Sequence, residues 1–353
     1  MQTFLTEWHD ESPTVLVRTS GSTGEPKPMR VEKRRMEASA RTTCTFLGLR
    51  RGDTALLCMP LDYIAGKMMV VRSLVCDLRL VAVEPSGNPL ATVTEPLDFA
   101  AMVPMQVWNS LRMPEQRERL MAIRHLIIGG GAIDDALAAE LQAFPNAVWS
   151  TYGMTETLSH IALRRLSGPD ATDWYTPFDG VQLALTVDDC LIINAPAVHD
   201  GLLTTNDIAE LAPDGRFRIL GRKDCVICSG GLKIQAEAVE RLLSSHLHAP
   251  YIITKRKDEK FGEAVVLLTE GDTAEAQIVC QRVLPKYWQP RAYVHTDRIP
   301  LTPTGKPARK QAEKLLLQQV GHQYHCMELV EPERLSYFRA SVSVDALQRN
   351  EKL

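Results

Sequence analysis

The stretch Arg18-Thr-Ser-Gly-Ser-Thr-Gly-Glu-Pro-Lys27, RTSGSTGEPK, follows the apolar run Val15-Leu-Val17, which reads as a short strand. Gly21 and Gly24 let backbone N–H groups turn inward toward an anion. Thr19, Ser20, Ser22 and Thr23 add hydroxyl donors, and Lys27 adds charge. The spacing differs from a Walker loop, which needs Gly-Lys-Ser/Thr after four intervening residues. On these residues alone, a phosphate cradle and a plain surface loop are equally open readings.

After the loop, Met36, Ala40, Thr43, Cys44 and Leu47 recur at helical spacing, and Gly48 supplies a stop. Strand-like runs at 55–59, 80–83, 99–103, 125–128 and 148–151 alternate with helical patterns at 66–76 and 134–144. That alternation predicts an α/β fold with a mostly parallel sheet. Near Phe178 the pattern changes to short strands with turns at Asp188-Asp189 and Asp214-Gly215, a small antiparallel β region. Beyond Asp224, helices over 235–247 and 273–283 and strands at 251–254 and 264–269 describe a small α+β unit. The expected domains are therefore 1–223 and 224–353.

Lys+Arg number 40 and Asp+Glu 43, a net charge of −3, so no basic footprint for nucleic acid stands out. The 8 cysteines are scattered, several within apolar runs, as expected of a reducing compartment. Cys225-Val-Ile-Cys228 has redox-motif spacing, yet it lies in a β-branched run and no second ligand pair follows at zinc spacing. Residues 1–10 lack the basic and apolar regions of a signal peptide, and no apolar run is long enough for a membrane span. The expectation is a cytoplasmic protein.

Five further motifs follow the loop in order: Ser150-Thr-Tyr-Gly-Met-Thr-Glu-Thr157, Thr204-Thr-Asn-Asp207, Gly221-Arg-Lys-Asp224, Ser229-Gly-Gly-Leu-Lys-Ile234 and Pro303-Thr-Gly-Lys306. Each alone is weak. Glu156 alone reads as an exposed helix-start carboxylate, and Lys306 alone as a solvated loop lysine. Together with the opening loop they resemble the core motifs of the adenylate-forming, acyl-CoA synthetase (AMP-binding) superfamily. Members typically carry a longer segment ahead of the phosphate loop.

The resemblance implies a two-step ligase that uses ATP, Mg²⁺ and coenzyme A. It implies that the 19–27 loop holds the β- and γ-phosphates, Thr155 the α-phosphate and Glu156 the metal. Tyr152 and Gly153, with Gly130 and Gly131, would border adenine; Asp207, backed by Arg222, would take the ribose hydroxyls. Lys306 would act in the first step. Asp224 would be the hinge about which a C-terminal lid turns, bringing Gly230, Gly231 and Lys233 to the thiol. A small carboxylic acid is the implied partner, and a homodimer is compatible.

The stretch from Met59 to Val75 bears on which acid. Arg72 has Met68, Met69, Val75 and Cys76 around it on a helical face, and a buried guanidinium needs an anion. Lys67 stands near the helix N-terminus, where the dipole disfavours a cation. Either both cations face a substrate carrying a second carboxylate, or Arg72 pairs with a protein carboxylate such as Asp62 and Lys67 is solvated. This stretch and the form of the adenylation motif are similar to the o-succinylbenzoate–CoA ligases of menaquinone biosynthesis, which activate an aromatic dicarboxylate. In that reading Ser159 and His160 also line the pocket. By spacing alone, His160 falls one helical turn after Glu156 and pairs with it. Other aryl or acyl acid–CoA ligases, carrier-loading adenylation enzymes and a non-catalytic nucleotide-binding protein remain alternatives.

Overall fold

Strands that are apolar at consecutive positions need cover on both faces, and helices supply it here. The structure, a computed structural model, describes residues 1–18, 28–131, 133–301 and 307–317. Helix α1 (Gln2–His9) precedes the antiparallel pair β1 (Thr14–Arg18) and β2 (Pro28–Glu32), in which Arg18 and Pro28 are register partners. A second strand thus stands between the phosphate-loop motif and helix α2 (Lys33–Leu47), which ends at Gly48 with φ 63°.

The main sheet is built from β3 (Thr54–Leu57), α3 (Ile64–Cys76), β4 (Arg79–Ala82), β5 (Phe99–Met102), α4 (Pro104–Arg112), α5 (Pro114–Ala122), β6 (His125–Ile128), α6 (Asp135–Gln142), β7 (Ala147–Gly153), β8 (His160–Arg165) and β9 (Thr176–Pro177). The order is β4-β3-β5-β6-β7-β8-β9. The first five strands in that order run parallel, and β8 and β9 are antiparallel additions. Alternate residues divide the core. Ala55, Leu57 and Phe99 pack with Met36, Met68 and Met69 of α2 and α3. Leu56, Ala100 and Met102 pack with Leu111, Leu120 and Leu137 of α4, α5 and α6. Each buried Leu, Met or Phe side chain contributes about 2 kcal/mol by leaving water, and each alanine less.

A four-stranded antiparallel sheet follows: β10 (Gln182–Leu185), β11 (Cys190–Asn194), β12 (Leu202–Leu211) and β13 (Phe217–Arg222). The third sheet has the order β15-β14-β17-β16, with β18 beside β17. It comprises β14 (Val226–Ser229), β15 (Leu232–Gln235), β16 (Tyr251–Asp258), β17 (Gly262–Thr269) and β18 (Ala292–His295), with α7 (Ala236–Leu243) and α8 (Thr273–Val283). Val239, Leu243, Val279 and Cys280 cover one face of it. Ala312 and Leu316, in the helical residues 309–317, cover the other.

One local expectation fails: Glu156 and His160 do not face each other one turn apart on a helix. Thr155–Thr157 make a single 3₁₀ turn, Leu158 takes φ 65°, and the chain reverses into β8. The Thr157 hydroxyl holds the backbone of Met154 and Ser159, so the turn closes on itself.

Candidate active site

Parallel strands bring their carboxyl ends to one edge of the sheet, where open α/β sheets bind ligands. The Gly129–Gly131 run follows β6, and the adenylation motif Ser150–Thr157 spans the end of β7 and the turn after it. Gly130 has φ 78°, a conformation glycine adopts without strain. At Gly153 the demand is steric. A Cβ there would lie 2.3 Å from the Ser159 carbonyl oxygen and 2.5 Å from His160 Cα. Only glycine lets β7 and the start of β8 approach this closely, which sets Ser159 and His160 beside the motif. Thr155 is buried and Glu156 is exposed. Among the described residues no group of three or more metal-ligating side chains forms. A hard cation at Glu156 would therefore draw its other oxygen ligands from phosphate and water.

Tyr152, Asp207, Arg222 and Asp224, expected from the motifs to meet the nucleoside, form one chain. The Tyr152 hydroxyl donates to Asp207 Oδ2 at 2.7 Å. The other oxygen, Oδ1, takes Arg222 Nη1 at 3.3 Å. Arg222 also forks onto Asp224, with Nε to Oδ1 at 2.9 Å and Nη2 to Oδ2 at 3.2 Å. Burial works to raise the Asp224 pKa, but the Arg222 hydrogen bond and charge outweigh it and leave it lowered. Burial, then Asp207, pushes the Tyr152 phenol up, so it stays a donor. Its ring packs against Phe217 and Tyr175 at centroid distances of 5.1 and 5.8 Å. The neighbouring Lys223 pairs with Asp188 at 2.7 Å, joining the segment before β14 to the β10–β11 turn.

Arg72 of α3, expected to face the acid, is 2% exposed. Its Nη2 donates to Ser159 Oγ at 2.7 Å, Nη1 lies 3.6 Å from Met69 Sδ, and Nε has no partner. Among the described residues no carboxylate pairs with it, so the Asp62 alternative fails; the charged or polar groups that bear on its pKa are the Cys44 and Cys76 thiols. Burial lowers the guanidinium pKa to about 10. His160 is buried between Ser159 Oγ, 3.2 Å from Nδ1, and Thr43 Oγ1, 3.1 Å from Nε2. Burial, helped by the nearby Arg72 charge, holds it well below the usual histidine range and therefore neutral.

Lys67 does not join this group. Its ammonium donates to the Leu16 carbonyl at 2.5 Å, lies 3.7 Å from Glu7 Oε2 and sits 5.0 Å above the Phe4 ring. These partners offset the unfavourable helix-terminus position that the sequence raises. Tying α1 and β1 to α3 is its role here, which corrects the expectation that it faces the acid.

Gly230 and Gly231, with φ 58° and 82°, make the two-residue turn between β14 and β15, and Lys233 is exposed beside it. The loop residues Thr19, Ser20, Gly21, Ser22, Thr23, Gly24 and Lys27, and Lys306, lie outside the described residues. Sequence reasoning missed Arg309. It forks onto Glu240 of α7 at 2.7 and 2.6 Å and donates to the Ile253 carbonyl. Its signal, a cation three residues past the Pro-Thr-Gly-Lys motif, is too common to read. Cys225 and Cys228 are free thiols.

Comparison with known proteins agrees with this layout. A model of the AMP-binding enzyme family matches residues 4–189. The acyl-CoA synthetase (AMP-forming)/AMP-acid ligase II-like protein of Dyadobacter fermentans is 31% identical, covering 88% of this chain and 92% of that one, with a TM-score of 0.61. The 2-succinylbenzoate–CoA ligase of Bacillus mycoides is 24% identical over 88% of this chain and 72% of its own length. The o-succinylbenzoate CoA synthetase of Bacillus subtilis, solved with its acyl-adenylate intermediate, shares the fold: TM-score 0.72, 23% identity, 84% of this chain and 68% of that one. The Bacillus subtilis enzyme has also been solved with ATP and magnesium ion. With more than half of the chain matched by the family model, the protein belongs to the AMP-binding enzymes, the family of AMP-forming acyl-CoA ligases.

Proposed function

We propose that this chain is an o-succinylbenzoate–CoA ligase serving menaquinone biosynthesis. The observation that carries this reading is Arg72, a buried guanidinium with no carboxylate partner among the described residues, bonded to Ser159 just past the adenylation motif. A buried charge without an anion is costly. An aromatic dicarboxylate supplies one: its first carboxylate is activated and its second answers Arg72. The similarity to 2-succinylbenzoate–CoA ligases supports the same substrate.

In this reading residues 1–223 bind ATP and the acid, and residues 224–353 form a lid that turns about Asp224. A carboxylate oxygen of the acid attacks the α-phosphorus of ATP; the bond to the β-phosphate breaks and pyrophosphate leaves. The 19–27 loop cradles the departing phosphates, Thr155 contacts the α-phosphate, and Lys306 meets the charge that develops there. Magnesium, held by Glu156, would supply further neutralisation of the phosphates. Asp207 accepts from the ribose hydroxyls while Tyr152 and Arg222 hold it in place, and Gly130 and Gly131 border the base. After lid rotation the coenzyme A sulfur, approaching past Gly230, Gly231 and Lys233, attacks the acyl carbon, and AMP leaves.

The test is pyrophosphate release with ATP and Mg²⁺ over o-succinylbenzoate, benzoate and fatty acids, with and without coenzyme A. Turnover confined to o-succinylbenzoate and dependent on coenzyme A is expected. Preference for another acid would keep the family and overturn the substrate. Adenylation without thioester formation would point to a different acceptor.

A further inference from the structure

The polar chain behind Arg72 runs through His160 to Thr43 on α2. Arg72 Nη2 only donates, so Ser159 Oγ accepts at 2.7 Å and has one proton left. Thr43 donates its own proton to the Ser39 carbonyl at 3.0 Å, a backbone oxygen that cannot reverse the direction. Thr43 Oγ1 is thereby left as the acceptor facing His160 Nε2 at 3.1 Å. A neutral imidazole with its proton on Nε2 accepts at Nδ1, which takes the Ser159 proton over 3.2 Å. The order is Arg72 N–H to Ser159, Ser159 O–H to His160, His160 Nε2–H to Thr43, Thr43 O–H to Ser39. Thr43 is fully buried, His160 and Arg72 nearly so, which excludes competing water.

We propose that Thr43 is a positioning residue of the acid pocket: through His160 it fixes Ser159 as the donor toward Nδ1, which leaves the Ser159 lone pairs to the Arg72 guanidinium and holds it in register for the anionic end of the substrate. Remove the Thr43 oxygen and the Nε2 proton has no acceptor. The cheaper tautomer then carries its proton on Nδ1 and donates to Ser159, whose lone pairs are now shared between His160 and Arg72. The Arg72 anchor weakens and its geometry shifts although every residue of the pocket is still present. The proposal rests on the acid reading given above for its kinetic consequence, but the tautomer itself does not.

Two measurements separate the two. Long-range ¹H–¹⁵N correlation of histidine-labelled protein without substrate should report His160 as the Nε2–H tautomer in the wild type and in Thr43→Ser, and as Nδ1–H in Thr43→Val. A wild-type Nδ1–H tautomer overturns the proposal whatever acid is turned over. In steady-state assays Thr43→Val should raise KM for o-succinylbenzoate about tenfold with KM for ATP unchanged, and Thr43→Ser should restore it. Equal KM values for both variants and wild type would overturn it, as would a parallel rise in KM for ATP. Failure of o-succinylbenzoate to react at all would sink the substrate reading while leaving the tautomer result standing.

Discussion

Tyr152, at the end of β7, donates its hydroxyl to Asp207 on β12 and so ties the main sheet to the antiparallel sheet at the nucleoside side of the site. An aromatic placed only to face adenine would not need that bond. Tyr152→Phe keeps the ring and removes the donor. The loss of one hydrogen bond to a charged acceptor, about 1–2 kcal/mol, should raise KM for ATP roughly five- to thirtyfold. Saturating ATP should recover most of kcat. An unchanged KM would mean that Arg222 alone orients Asp207.

Arg72→Met should move activity and stability in opposite directions. The methionine fills the same space without a charge, and replacing a buried ion by an apolar side chain is neutral or stabilising, here by ~2 kcal/mol. Turnover of a dicarboxylate should fall with a raised KM, and KM for ATP should hold. A variant that is both less stable and normal in acid affinity would return Arg72 to a packing role.

Lys306→Ala should abolish pyrophosphate release and spare thiolysis of a preformed acyl-adenylate, because the lysine acts on charge that develops only in the first step. Stopped-flow assays of each half-reaction measure this. Equal loss of both steps would contradict a two-position lid.

Stability should rise with pH below about 6.5, the ordinary histidine value, on account of His160. The folded state keeps the imidazole neutral and the unfolded chain protonates it, so the unfolded state binds more protons as pH falls from 6.5 toward the depressed folded value. The slope contributed is at most ~1.4 kcal/mol per pH unit, and above 6.5 it vanishes. His125, also lowered chiefly by burial, adds a slope of the same sign. Urea unfolding of the wild type and His160→Asn between pH 5 and 7.5 isolates the His160 share; identical slopes would mean that His160 is charged in the fold.

Much of the fold was legible because it rests on local patterns. The alternation of apolar strands with periodic helices is written in neighbours one to four positions apart, and it held for the five parallel strands of the main sheet and for α2 with its Gly48 stop. The reading failed where a single residue reversed the chain. Leu158 at φ 65° breaks the helical spacing between Glu156 and His160 and leads the chain into β8, and no rule of periodicity flags a leucine for that conformation. Lys67 and Arg72 show the same limit in charge. Both look like misplaced cations in sequence, but α1 answers Lys67 and nothing among the described residues neutralises Arg72.

By itself, then, the sequence determined the ordered motifs, the α/β layering and the family, because each depends on residues close along the chain. Tertiary structure alone decided that Tyr152 meets Asp207, that Ser159 meets Arg72 and that Thr43 meets His160, across separations of 55, 87 and 117 residues. Hydrogen bonds of that kind have no local signature. They exist because packing of α2, α3, β7, β8 and β12 removes water from their polar atoms and leaves them to satisfy one another.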